Sequence, residues 1–174
     1  NGSPLAPDYI KDVAQIARDN DMKLHIDGAR IFNAAVALNI DVNELVKDVD
    51  SVTFCLSKGL AAPIGSIICG SEKFIYNARR TRKALGGGMR QAGIIASAGM
   101  YSLDNMLDQI RVDHKNTTRL AEGINKIEGL SIDRENIKSN ILYFDIEKDA
   151  KRCEELARQT KKIKGYPFEI TLNN

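Results

Sequence analysis

Apolar positions Ile10, Val13, Ile16 and Ala17 recur at helical spacing behind Pro7 and Asp8, a pair that presets φ and puts a negative charge at a helix's positive end, so residues 8–19 are predicted to be a helix. The pattern then shortens. Lys23, Leu24, His25 and Ile26 form a brief, partly apolar run between Asn20-Asp21 and Asp27-Gly28, the signature of a strand that ends at a charged turn. Helices are expected over 31–38 and again over 41–49, and the β-branched and aromatic run 51–55 reads as a buried strand leading into Ser57-Lys58-Gly59. A further apolar strand is expected over 65–69, then a basic helix over 72–83 that contains Arg79, Arg80, Arg82 and Lys83. Gly86, Gly87 and Gly88 stop any regular element, and beyond them one long helical stretch spans about 91–127, with a hint of a break at 114–116. A short strand at 130–132, an alternating strand over 140–146 and a charged helix over 149–162 complete the pattern.

Helix, strand, helix, strand is the order of an α/β sheet with helices on its faces. The later part reads as a smaller α+β lobe, so a boundary is expected in the long helix, with one domain over 1–108 and a second, incomplete at its end, over 109–174. With 25 Lys+Arg against 23 Asp+Glu the chain is nearly neutral, which gives no reason to expect nucleic acid as a partner, and the basic run 79–83 is read as a solvent-facing helix surface. No apolar run approaches the roughly 20 residues of a membrane span. Cys55, Cys69 and Cys153 are widely separated and odd in number, as expected of reduced packing residues in a reducing compartment. The opening Asn1-Gly2-Ser3-Pro4 resembles the interior of a longer protein.

Candidate chemistry sits at two strand ends. In open α/β sheets ligands lie at the carboxyl ends of strands, which is where Asp27 falls, with Arg30 one helical turn further on. An Asp before a Gly is more commonly a turn or cap, and the plain reading of Arg30 is a surface ion pair. Lys58 follows the next buried strand between Ser57 and Gly59, and a lysine at the mouth of a sheet can act as a nucleophile that forms a Schiff base. Most lysines are simply solvated. The spacing from Asp27 to Lys58 suits one intervening helix and its return, which would bring both to one edge of the sheet. A carboxylate that keeps a pyridine nitrogen protonated and a Schiff-base lysine are the two polar anchors of pyridoxal phosphate. His25 shares a strand face with Asp27, either tuning it or simply held by hydrogen bonds, and His114 is expected to be solvated on a charged helix face. The three glycines either offer backbone N–H groups to an anion or form a hinge before a helix.

Three segments in order, His25-Ile26-Asp27-Gly28-Ala29-Arg30-Ile31-Phe32-Asn33-Ala34, then Cys55-Leu56-Ser57-Lys58-Gly59-Leu60 with Pro63-Ile64-Gly65-Ser66, then Gly86-Gly87-Gly88-Met89-Arg90-Gln91-Ala92-Gly93, resemble the low-specificity L-threonine aldolases over about residues 1–146. Those are fold-type I pyridoxal phosphate enzymes, similar in architecture to aspartate aminotransferase. The resemblance implies part of their large domain, a mixed and mostly parallel sheet with helices, followed by a long helix and the smaller lobe. It implies that Lys58 is the Schiff-base lysine, Asp27 the partner of the pyridinium nitrogen, and Arg30 a contact of cofactor and substrate that holds the amino-acid carboxylate, a task suited to a two-pronged donor. Lys83 matches a lysine near the mouth of the active site, and Arg90 belongs to the glycine-rich loop.

The activity so implied is cleavage of L-threonine or L-allo-threonine, β-hydroxy amino acids, to glycine and acetaldehyde by a cytoplasmic homodimer or homotetramer with pyridoxal 5′-phosphate. The family's cofactor-stacking histidine and phosphate-cradling loop lie before Asn1, and a second carboxylate-binding arginine expected near the end has no counterpart in 165–174, so this chain by itself is expected to be inactive or nearly so. Another fold-type I lyase or aminotransferase, or a truncated relative without catalysis, remains the alternative.

Overall fold

A computed structural model describes residues 2–146, so the helix expected over 149–162 and Cys153 lie outside the described residues. Helix α1 (Pro7–Asp19) starts where Pro7 and Asp8 predict, and buries Ile10, Ala14 and Ala17. Strand β1 (His25–Asp27) ends at Asp27 and alternates about half-buried Ile26. Helix α2 (Ile31–Leu38) follows, closed by Asn39 in the left-handed region at φ 54°. Asp41 caps α3 (Val42–Val46) by accepting the Asn43 N–H. That pair of helices returns the chain to β2 (Ser51–Cys55), which lies parallel to β1 with Asp27 opposite Thr53.

Strand β3 (Ser66–Gly70) pairs antiparallel with β2, in the order β1-β2-β3. The connection over 56–65 holds no helix and is too short for a crossover, which takes a dozen or more residues, so the chain can only turn back. Every residue of β3 is exposed. Helix α4 (Glu72–Ala84) packs on β3 and buries none of its residues.

Two helices, α5 (Gly93–Asn105) and α6 (Leu107–Ile124), replace the single long one, and they divide at Met106 rather than at 114–116. Near the division Ser102 Oγ donates to the Ala98 carbonyl and Asn105 Nδ2 to the Tyr101 carbonyl, side-chain bonds of the kind that compete with helix continuation. The turn sends α6 back across α2. Among the described residues of the later part, β4 (Leu130–Ser131) pairs antiparallel with β5 (Asp145–Ile146), and most of the alternating run 140–146 lies outside that ladder.

The buried apolar residues form two clusters. One joins Ile10, Ile31, Ala35, Leu45 and Val52. The other joins Leu56, Leu60 and Ala62, which flank Lys58, to Ile110 of α6. Phe32 and Phe54 touch edge to face at 5.3 Å and belong to the rim of both.

Candidate active site

Parallel pairing decides where the candidate residues meet. Because β1 and β2 run the same way in register, their carboxyl ends finish at one edge of the sheet, with Asp27 at the end of the first and Lys58 three residues past the second. The ladder runs on past Asp27: the Gly28 N–H donates to the Thr53 carbonyl at 2.7 Å and the Cys55 N–H to the Ala29 carbonyl at 3.4 Å. A methyl group on Gly28 would stand 3.0 Å from the Thr53 oxygen and 3.1 Å from Val52, so this close approach leaves little room for a side chain.

Asp27, Arg30 and Lys58 all line one cavity of about 640 Å³, a size that suits a small-molecule ligand. Its other walls come from residues 2–5, from Tyr9 and Val13 of α1, and from Ser139 and Ile141. The Ser139 hydroxyl donates to the Gly2 carbonyl at 2.7 Å and so ties the far wall to the first residues. Asp27 Oδ1 accepts the Ala29 N–H at 3.2 Å, which is the turn expected of an Asp before a Gly. Among the described residues neither Asp27, Arg30 nor Lys58 is in an ion pair, so an acid, a guanidinium and an amine face shared space with their charges uncommitted.

Lys58 is held by its loop. The Ala61 N–H donates to the Lys58 carbonyl at 2.9 Å, the Ala62 N–H to the Leu56 carbonyl at 3.0 Å and the Leu56 N–H to the Gly65 carbonyl at 2.9 Å. Buried Leu56, Leu60 and Ala62 pin both flanks, while Lys58 itself is exposed. Ala61 takes φ 58°, a conformation that side-chain-bearing residues adopt mainly where the surroundings impose it.

His25 keeps both ring nitrogens bonded to hydroxyls of the neighbouring strand, Nδ1 to Ser51 Oγ at 2.9 Å and Nε2 to Thr53 Oγ1 at 3.2 Å. A hydroxyl can donate or accept, so these contacts survive a change of tautomer. Lys83 and Arg90 do not line the cavity. Lys83 stands on exposed α4 with its stem against Gly88, and Arg90 lies just before α5. Two of the three loop glycines serve α4 instead of an anion: the Gly86 N–H donates to the Lys83 carbonyl at 3.2 Å and the Gly87 N–H to the Arg82 carbonyl at 2.8 Å, with Gly86 at φ 84°.

The expectation for His114 is corrected. It is half-buried, and its Nε2 stands 3.2 Å from Nδ2 of Asn33; burial holds its pKa below the usual imidazole value, against the opposing pull of Asp113. Asn33 is the site residue that sequence reasoning missed. It is 3% exposed, lines the cavity with Lys58, and is the only polar residue in the α2 sequence IFNAAVAL, which is the signal that could have found it.

The profile of the family described as beta-eliminating lyase matches residues 1–147. The chain is 43% identical over 164 residues to low-specificity L-threonine aldolase 1 of Arabidopsis thaliana, which covers 94% of this chain and 46% of that protein. It is 43% identical over 146 residues to the low specificity L-threonine aldolase of Escherichia coli O157:H7, covering 84% of this chain and 43% of that one. The chain therefore spans less than half the length of these curated relatives. Its fold is similar to the crystal structure of an L-allo-threonine aldolase candidate from Listeria monocytogenes EGD-E, with a TM-score of 0.78 at 21% identity over 91% of this chain and 44% of that one.

Proposed function

The chain belongs to the beta-eliminating lyase family, and from that premise we propose that the whole protein is a pyridoxal 5′-phosphate-dependent aldolase that cleaves L-threonine or L-allo-threonine to glycine and acetaldehyde. The observation that carries the reading is the meeting of Asp27 and Lys58 on one cavity at the carboxyl ends of two parallel strands. The donor set fits the cofactor: an amine for its aldehyde, a carboxylate for its pyridine nitrogen, both without an ion-pair partner among the described residues, in a cavity of sufficient size.

Lys58 Nζ would hold the cofactor covalently, and Asp27 would keep a proton on the ring nitrogen. The bound group supplies an electron sink for the bond cleaved between the α and β carbons. Arg30 opens α2 beside Asp27 and would orient the substrate by its carboxylate through two parallel hydrogen bonds. His25, two residues before Asp27 on the same strand face, has both ring nitrogens bonded to hydroxyls of β2. Lys83, given a place at the mouth by the resemblance, has no support from the cavity described, and a role for it rests on the resemblance alone.

The relatives' names favour threonine aldolase over another lyase or an aminotransferase, which would use the same lysine and acid. Assembly as a homodimer or tetramer is supported by exposed apolar side chains on and before α5, among them Leu85, Ile94, Met100 and Tyr101. Among the described residues no helix is long and apolar enough to cross a membrane; a cytoplasmic location is part of the proposal.

The test is made on the whole protein. With pyridoxal 5′-phosphate it should turn yellow, lose that colour on borohydride reduction with the label fixed on Lys58, and release glycine and acetaldehyde from threonine. Lys58→Ala should abolish both the colour and the products. Retained activity in that variant removes Lys58 from the role, and products other than glycine and acetaldehyde transfer the reading to a different lyase or aminotransferase.

A further inference from the structure

A buried amide in an otherwise apolar helix needs a reason, because an unpartnered one costs about 1–3 kcal/mol. Asn33 has two contacts that supply it. Its Nδ2 donates to His114 Nε2 at 3.2 Å, and its Oδ1 lies against Gly59, so close that a methyl group built there would sit 2.9 Å away. One side chain of α2 thus touches both α6 and the residue that follows Lys58.

Helix α6 meets the same loop a second time. Ile110, fully buried, packs with Leu56, Leu60 and Ala62, and His114 stands one turn further along on the same side of the helix. The loop is therefore gripped from α6 by an apolar contact at Ile110 and a polar one relayed through Asn33. We infer that Asn33 and His114 are positioning residues that couple the placement of α6 to the backbone at Gly59, and through it to Lys58.

The relay depends on His114 accepting at Nε2, which a neutral ring protonated on Nδ1 can do and a protonated ring cannot. Besides His114, the charged side chains on the elements packed there are Asp108, Arg111, Asp113, Lys115, Arg119 and Glu122 of α6, Asp104 of α5 and Lys58 of the loop; α2 has none. That Lys58 is the residue positioned for chemistry rests on the proposed function. The coupling between His114 and Gly59 does not.

Nuclear magnetic resonance on the whole protein separates the two. With the His114 ring and the Gly59 N–H followed over about pH 4.5 to 8, where an imidazole titrates, Gly59 should move with the midpoint of His114, and the ring should show the Nδ1–H tautomer. A Gly59 signal that stays flat while His114 titrates overturns the inference. Asn33→Ala should uncouple the two signals, and His114→Gln, which leaves the buried α2 untouched, should flatten Gly59 even if the first variant fails to fold.

A second readout uses pyridoxal 5′-phosphate fixed by borohydride. His114→Leu should reduce the label on Lys58 about 3- to 10-fold, the change in equilibrium that matches one ordinary hydrogen bond, and His114→Gln, which keeps an acceptor, should restore most of it. Equal labelling in His114→Leu and the unsubstituted protein overturns the positioning role. Label that never reaches Lys58 in the unsubstituted protein overturns the proposed function instead, and the resonance experiment still decides the coupling.

Discussion

Gly59→Ala sets two opposing effects against each other, and the structure fixes the sign. Gly59 is not among the residues with positive φ, so alanine meets no backbone strain, and by restricting the unfolded chain it would stabilise by about 0.4–1 kcal/mol. Against that, the new methyl would stand 2.9 Å from Asn33 Oδ1, well inside an ordinary carbon–oxygen contact. Asn33 is 3% exposed and its amide is committed to His114 at 3.2 Å, so retreat breaks that bond and leaves a buried amide unpaired at about 1–3 kcal/mol. The net expectation is a loss of about 0.5–2 kcal/mol. Urea unfolding followed by circular dichroism should place the midpoint of Gly59→Ala lower by roughly 0.5 M for a slope of about 1–3 kcal/mol/M. In an Asn33→Ala background the methyl has room, and the same substitution should turn neutral or stabilising. A Gly59→Ala protein as stable as its parent, or one whose loss persists without Asn33, refutes the reasoning.

Truncating Ile110 to alanine removes a fully buried side chain from between α6 and the Lys58 loop and should cost about 2–5 kcal/mol in the same assay; a loss near zero would mean that α6 does not depend on this contact. His114 gives stability a slope with pH. Its folded pKa lies below the ordinary value of 6.5, so the unfolded chain binds more protons as pH falls; the contribution is complete above 6.5 and is lost as pH drops through the folded value. Unfolding midpoints between about pH 5 and 7.5 should show this slope and lose it in His114→Gln. Asp50 should act at lower pH in the same direction, because the Leu24 N–H and then Lys23 hold its carboxyl below the ordinary 3.8. Lys23→Ala, which removes only an exposed partner at 3.0 Å, should leave the midpoint nearly unchanged, whereas Asp50→Ala, which also orphans the Leu24 N–H, should lower it measurably by the same urea titration.

How much of this was legible differs from residue to residue. Helix α1 could be read from Ile10, Val13 and Ala17 because its apolar stripe is local, and β2 from its β-branched run for the same reason. The expected α/β class holds, and the order of the three motifs resembles that of the threonine aldolases. The helices divide at Met106 instead of 114–116, a break that hydrophobic periodicity does not mark. His114 looked solvated because its neighbours in sequence are charged, yet its partner in space is Asn33.

By itself the sequence determined the helices and strands from α1 to α4, and placed an acid at the end of one strand and an amine just after the next. Whether those two groups share a cavity was decided by the parallel register of Asp27 against Thr53, a pairing between residues far apart in the chain that no local spacing specifies. The same holds for Asn33: its burial, its bond to His114 and its pressure on Gly59 exist only because three separate elements pack together. Local preferences fix the elements, but it is packing against distant partners that turns single residues into a site.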